Sequence, residues 1–163
     1  RKDLESANYW VTGFQNLRVT ALESSLDFIN SRLTHYSSQL FENDVTVSLT
    51  HRDGKITISV STLGGTYESA SGGEKDRVDI CLAFALLDLA RQCTNWGSNI
   101  LVMDEIAVHV DSKGVQGLMK VVEDLVGDVA SVYMISHNPI FEGYGDKTLL
   151  VTRVDGTSTI SFD

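Results

Sequence analysis

The sequence has few residues that break or cross-link a chain. Among 163 residues there is one proline, and the two cysteines, Cys81 and Cys93, lack a C-x-x-C spacing and a nearby histidine. That spacing indicates neither a disulfide nor a metal site. No apolar run is long enough to cross a bilayer, and no secretory signal pattern occurs. We therefore expect a cytoplasmic chain in a reducing compartment, with no membrane partner.

Basic charge is also scarce. The chain has 13 Lys and Arg against 22 Asp and Glu, a net charge of −9, and its basic residues are scattered. Because DNA affinity depends mainly on neutralising phosphates with Lys and Arg, this argues against a free-standing nucleic-acid binder. If the protein acts on DNA, most of the contact surface lies elsewhere. The phosphate-loop string G-x-x-x-x-G-K-[ST] is missing as well.

The remaining composition predicts one globular domain with a real core. At 42% hydrophobic and 21% charged residues, the chain is ordinary for a soluble protein. It begins Arg-Lys-Asp rather than with Met, so we expect it to be a piece of a longer protein.

A long amphipathic helix is predicted near the N-terminus. Apolar residues recur there at spacings of 4, 3, 4, 3 and 4, which is a heptad pattern. They are Leu22, Leu26, Ile29, Leu33, Tyr36 and Leu40. Two interpretations stay open: the root of a coiled coil, or a long helix lying on a sheet. We expect residues 1–42 to form this helical segment and residues 43–163 to form the globular part.

Two β-hairpins are predicted from alternating apolar and polar residues. The first spans residues 45–60 and turns near Asp53-Gly54, and the second spans residues 148–162 and turns at Asp155-Gly156.

Between the hairpins, the pattern is that of helices alternating with buried strands. A helix over residues 74–92 is apolar on nearly every side, so we expect it to pack on more than one face. Residues 100–103 and 131–135 are apolar strands of the parallel, buried kind, with a helix over 112–125 between them. The predicted fold class is α/β, with a mainly parallel sheet flanked by helices and with antiparallel hairpins.

The helix over residues 74–92 is preceded by an unusual start. Ser71 and Glu74 have the S-x-x-E spacing of a capping box, and Gly72 and Gly73 stand between them. A helix N-terminus offers free N–H groups, and glycines have no Cβ to hold an anion away. Two interpretations remain: a well-capped core helix, or a phosphate-binding helix start.

Ionisable side chains follow both parallel strands. Asp104 and Glu105 end the first strand, and Ser136-His137 follow the second. Ligands of open α/β sheets bind beyond the carboxyl ends of the strands. One carboxylate there can hold Mg²⁺ and its neighbour can orient or deprotonate water, while an imidazole can hydrogen-bond a phosphoryl group. The alternative is that Asp104 caps the next loop and His137 is an exposed loop residue.

Taken in order, these strings resemble the C-terminal lobe of an ABC-type ATPase head. Ser71 to Glu74 is similar to the signature motif, residues 100–105 to Walker B with its catalytic Glu, Val110-Asp111 to the D-loop, and Ser136-His137 to the switch histidine. A given four-letter string should occur by chance in a chain of this length about once in a few hundred sequences.

Three positions depart from the usual pattern. Ala70 replaces the Leu before the signature, Ile106-Ala107 replaces Pro-Thr, and Val110 replaces the D-loop Leu.

A heptad-like helix and a hairpin, rather than a phosphate loop, precede the signature, which is the order of the SMC and SbcC class. Within that class the chain looks most like the ATPase subunit of the DNA double-strand-break repair nuclease, including its phage-encoded form. This resemblance rests on Tyr9-Trp10, Phe14, Leu17-Arg18 and the segment over residues 26–36. A chromosome-organising SMC-type head, a transporter domain and a non-hydrolysing DNA-tethering clamp are the alternatives.

The resemblance implies ATP and Mg²⁺ as cofactors and a division of roles. Ser71, Gly72, Gly73 and Glu74 would face the γ-phosphate of a second head. Asp104 would support Mg²⁺, Glu105 would polarise water, and His137 would contact the γ-phosphate in cis. Asp111 would link the two sites.

The implied partners are the N-terminal Walker A lobe of the same protein, a second copy of the head, a metal-dependent nuclease subunit and double-stranded DNA. Without that lobe, we expect the chain neither to bind ATP tightly nor to hydrolyse it.

Overall fold

The computed structural model describes most of the chain. The described residues are 2–42, 44–61, 66–94, 98–126, 130–141 and 143–162. Within them, no helix is both long and apolar enough to span a bilayer.

The first helix, α1, runs from Lys2 to Leu40, and its two halves differ in burial. In the second half, the predicted heptad side chains from Leu26 onward are buried. They pack against a second helix, α2 (Gly72–Cys93), a third helix, α3 (Ser112–Val126), and the first strand. The heptad stripe is therefore the core-facing side of a helix lying on the body of the protein.

The first half of α1 carries large apolar side chains in solvent. Tyr9, Trp10 and Phe14 are 73%, 61% and 62% exposed, and their rings contact one another in sequence order. The coiled-coil root remains a prediction for this half.

Polar contacts fix α1 on α2. Tyr36, which is buried, donates a hydrogen bond of 2.6 Å to Asp88 of α2, and Arg32 donates to the same carboxylate. Burial, followed by the bond to Asp88, raises the pKa of Tyr36 to about 12. The ring of Phe84 lies 5.6 Å from the Tyr36 ring, so apolar and polar contacts act at the same place.

A hairpin follows α1, as predicted. Its strands are β1 (Thr46–Arg52) and β2 (Lys55–Ser61), paired antiparallel. Asp53 and Gly54 both have positive φ, 50° and 73°, as a two-residue type I′ turn requires. Asn30 of α1 bonds both backbone groups of Leu49, which ties the hairpin to the helix.

The parallel unit also follows the prediction. Strand β3 (Ile100–Asp104) precedes α3, and β4 (Ser131–Ile135) pairs with β3 in parallel. In this register Asp104 lies opposite Ile135, so both strands end at one edge. The closing hairpin, β5 (Leu149–Val154) and β6 (Thr157–Phe162), is confirmed, and every residue in it is exposed.

Burial of the parallel strands differs from the prediction. Both were expected to be covered on two faces, but Ile100, Val102, Tyr133 and Ile135 are between 52% and 58% exposed. The residues between them on each strand, such as Met103, pack on the core. Among the described residues, this sheet has two strands and only one of its faces meets the core, which leaves an apolar face open.

Helix α2 likewise packs less completely than predicted. Val78, Cys81 and Ala85 are fully buried, whereas Leu86 is half-exposed. A cleft of about 560 Å³ separates α2 from β3 and its following loop, with Phe84 and Leu87 on one wall and Val102 on the other. The side of α2 that lies towards β3 therefore borders an open, largely apolar cleft.

Candidate functional site

Helix α2 begins with the predicted capping box. The Ser71 backbone N–H donates to the Glu74 carboxylate at 2.7 Å, and the Ser71 hydroxyl accepts from the Glu74 N–H at 3.4 Å. The bond from the Ser71 N–H is the main cause of a lowered pKa for Glu74. Both side chains are thus engaged in starting the helix, and the N–H groups of Gly72 and Gly73 stand where an α-helix offers no intrahelical acceptor.

The two glycines of this turn have different surroundings. A Cβ added to Gly72 would meet no atom within 4 Å, whereas a Cβ added to Gly73 would lie 2.8 Å from the carbonyl oxygen of His109. The surface beside Gly72 is therefore open at the start of α2. Gly73 instead allows the chain's own β3–α3 loop to approach the helix.

That loop, residues 105–111, is held against the start of α2 by two side-chain contacts. Asp76 accepts hydrogen bonds from the backbone N–H of His109 at 3.1 Å and contacts its Nδ1 at 3.0 Å. One residue further along α2, Arg77 donates to Asp111 at 2.6 Å.

Sequence reasoning missed Asp76, Arg77 and His109. The available signal was an adjacent acid and base within a strongly apolar helix, but it did not indicate a partner about 33 residues away.

Asp111 contacts residues of its own chain. Its carboxylate accepts from the Gly114 N–H at 2.8 Å, which caps α3, and from Arg77. The Gly114 bond, together with the charge of Arg77, lowers the pKa of Asp111. The predicted link across two heads stays a prediction.

At the edge of the sheet, Glu105 and His137 meet. Nδ1 of His137 lies 3.0 Å from Oε1 of Glu105, and both side chains are open to solvent. Glu105 has a φ of 48°, a left-handed conformation that is uncommon outside glycine, and its N–H donates to the Ile135 carbonyl. Such strain of about 1–3 kcal/mol is common at functional sites. The backbone bond fixes the strained residue at the point where both strands end.

Asp104 precedes this pair and is exposed at the end of β3. No group of three or more His, Cys, Asp or Glu that could hold a metal ion occurs among the described residues. Mg²⁺ in phosphate sites is held by one or two carboxylates together with waters and phosphate oxygens. The exposed carboxylate of Asp104 fits that way of binding, and does not fit an all-protein cage.

The predicted residues thus fall into two groups in the described part of the chain. Glu105 and His137 are in contact, with Asp104 adjacent. Ser71 and Glu74 are bonded to each other at the start of α2, and Asp111 is joined to that helix through Arg77. The β3–α3 loop connects the two groups.

The fold is similar to that of solved SMC head domains. The structure resembles the Smc head domain with a coiled coil and joint from Pyrococcus yayanosii, with a TM-score of 0.78 and 17% identity. The superposition covers 96% of this chain and 31% of that one. At this identity the match shows the fold, and it confirms the predicted fold class.

Two curated proteins are among those with a similar sequence. Exonuclease subunit 2 of Escherichia phage RB69 is 30% identical over 120 residues, which cover 71% of this chain and 20% of that protein. The DNA double-strand break repair Rad50 ATPase of Thermoplasma volcanium is 29% identical over 141 residues, 85% of this chain and 15% of that protein. No protein-family model matches the chain.

These similarities confirm the predicted resemblance to an SMC/SbcC-like head, including its phage-encoded form. The chain spans about a fifth or less of the length of these relatives.

Proposed function

We propose that this chain is the C-terminal half of a split ATPase head that binds and hydrolyses ATP when two heads pair, in the service of DNA repair. The contact between Glu105 and His137 beside Asp104 carries this proposal. A head that only clamps needs no base, so an imidazole against a carboxylate at the sheet edge favours hydrolysis over the tethering alternative.

Each residue has a proposed role that fits its surroundings. Glu105 orients the attacking water and accepts its proton, and His137 contacts Glu105 and donates to the γ-phosphate. Asp104 supports Mg²⁺, which when bound neutralises charge on the phosphates. Catalysis of this kind consists of positioning and electrostatic stabilisation.

The start of α2 is proposed to act on the nucleotide of a second head. Ser71 and the Gly72 and Gly73 N–H groups would meet a γ-phosphate there, with Glu74 holding Ser71 in place and Asp111 at the joint between heads. The open surroundings of Gly72 support this role, because among the described residues no atom lies within 4 Å of the position that a Cβ would take there.

A complementary lobe is part of the proposal, because this chain has no phosphate loop. The open apolar face of β3 and β4 supports it, since Val102 and Tyr133 are more than half-exposed. The cleft between α2 and β3 is also lined by Val102, so it continues the same uncovered apolar surface. We assign this surface to contact with the Walker A lobe of the same protein.

The repair role rests on the two sequence relatives, whose printed names are an exonuclease subunit and a repair ATPase. We therefore propose a metal-dependent nuclease subunit and double-stranded DNA as partners, and a cytoplasmic location. A chromosome-organising head has the same fold, but the relatives favour repair.

The test is Glu105→Gln in the full-length protein. We expect the ATP turnover rate to fall about 10²–10⁴-fold, because the general base is lost. ATP-dependent pairing of heads, measured by size-exclusion chromatography with light scattering, should persist, since the amide keeps the shape of the side chain. Glu123→Gln, an exposed change on α3, is the matched control. Turnover at the wild-type rate in Glu105→Gln would refute the proposed role.

A further inference from the structure

The β3–α3 loop lies so close to the start of α2 that the contact leaves no room for a Cβ atom at two glycine positions. The missing side chain of Gly73 leaves room for the His109 carbonyl, and the missing side chain of Gly114 leaves room for Arg77 and Val110. At Gly114, an added Cβ would be within 2.7 Å of the Arg77 Nε. The loop can therefore lie this close to α2 because glycines stand at both positions, Gly73 on α2 and Gly114 on α3.

Polar side-chain contacts hold the loop at this distance. Asp76 contacts His109 through both its backbone N–H and its ring, so it fixes the path of the loop as well as a side chain. Its own side chain is three-quarters buried there.

Arg77 joins the same contact to the rest of the fold. It is largely buried, it bonds Asp111, and its guanidinium lies 5.6 Å from the centre of the Phe41 ring at the end of α1. The loop, α2 and the end of α1 therefore meet at Arg77.

The position of this contact along the chain gives it a functional meaning. On one side of it lies the Ser71 to Gly73 turn, proposed to face the nucleotide of a second head. On the other side lies Glu105, four residues before His109, proposed to act on the nucleotide of its own head. Because a fixed contact joins them, a displacement of the Ser71–Gly73 turn should also displace Glu105, and the reverse.

We propose that Asp76 is a positioning residue that, with Arg77, fastens the β3–α3 loop to α2 so that the Ser71–Gly73 turn and Glu105 move as one rigid unit. This deepens the proposed function and rests on it. Pairing with a second head would then align Glu105, and hydrolysis at the two sites would be linked.

The experiment uses the full-length protein with Asp76→Ala, the conservative Asp76→Asn, and the exposed-carboxylate control Glu123→Ala. Without nucleotide, hydrogen exchange of the His109 amide should speed up roughly tenfold in Asp76→Ala, because the bond from that N–H to a charged acceptor is lost. With ATP, the turnover rate should fall roughly tenfold while the Kd for ATP stays within about twofold, since ATP affinity is set mainly by the complementary lobe. Asp76→Asn should recover most of both losses, because its amide oxygen still accepts from the His109 N–H.

Each other result overturns the proposal. Unchanged exchange in Asp76→Ala means that Asp76 does not hold the loop. If the His109 amide exchanges faster in Asp76→Ala but the ATP turnover rate stays at the wild-type value, the contact has only a structural role. If turnover and ATP affinity fall equally, the variant has a general defect. If the wild-type protein fails to hydrolyse ATP, the proposed function fails by itself, and the exchange measurement still decides whether Asp76 holds the loop.

Discussion

The two glycines at the start of α2 should respond in opposite ways to the same substitution. In Gly73→Ala the new methyl group would lie 2.8 Å from the His109 carbonyl, a backbone atom that can move only with its loop. Overpacking of this kind costs about 1–3 kcal/mol. The better helix propensity of alanine returns at most about 1 kcal/mol. With the full return, we expect a net loss of up to about 2 kcal/mol in the free energy of unfolding.

Gly72→Ala is the matched control, because it makes the same chemical change one residue earlier. Its methyl group would meet no atom within 4 Å, so the free energy of unfolding should stay level or rise by up to about 1 kcal/mol. ATP-dependent pairing of heads should nevertheless weaken, because the methyl group occupies the path of an approaching phosphate.

The assay compares both variants with wild type in nucleotide-free denaturant unfolding and in ATP-dependent pairing. For a folded unit of about 150–250 residues, a loss of about 1 kcal/mol lowers the melting temperature by about 2–4 °C. Equal stability of the two variants would refute the reasoning about Gly73. Undiminished pairing in Gly72→Ala would contradict the proposed role of the helix start.

Two further predictions concern ionisable groups. The folded-state pKa of Asp111 is lowered, so the contribution of its carboxylate to the stability of the fold should be complete above the usual carboxyl pKa of about 3.9. That contribution should be lost as the pH falls through the lowered value. Unfolding curves at pH 7 and pH 3 should therefore differ less in Asp111→Asn than in wild type, and an unchanged difference would contradict this. Burial raises the pKa of Cys81 to about 12, whereas Cys93 is exposed. Of these two cysteines, alkylation at pH 8 should modify only Cys93 until the protein is unfolded, as measured by peptide mass spectrometry. Rapid labelling of Cys81 in the native protein would count against its burial.

Elements whose cause is local could be predicted from the sequence. Asp53-Gly54 and Asp155-Gly156 specify type I′ turns whatever the surroundings, and both hairpins occur there. The capping box at Ser71 is equally local, because its two partners are three residues apart. The parallel pairing of β3 and β4 followed from two apolar strands separated by one helix.

Contacts between distant residues could not be predicted in this way. Asp76 and His109 lie on separate elements, and neither residue type specifies the other. The heptad spacing from Leu22 to Leu40 fits a coiled coil and a core-facing stripe equally well, since both need the same side of a helix. The exposure of one face of β3 was not predicted either. An apolar strand indicates that the face is to be covered, but its sequence does not identify the segment that covers it.

The most direct test of the whole account is ATP hydrolysis by this 163-residue chain with and without the Walker A lobe of the same protein. Steady-state phosphate release should be at background for the chain alone. It should appear when the two lobes are mixed, and disappear again when the chain carries Glu105→Gln. Robust hydrolysis by the isolated chain would contradict the claim that the nucleotide is held chiefly by the other lobe.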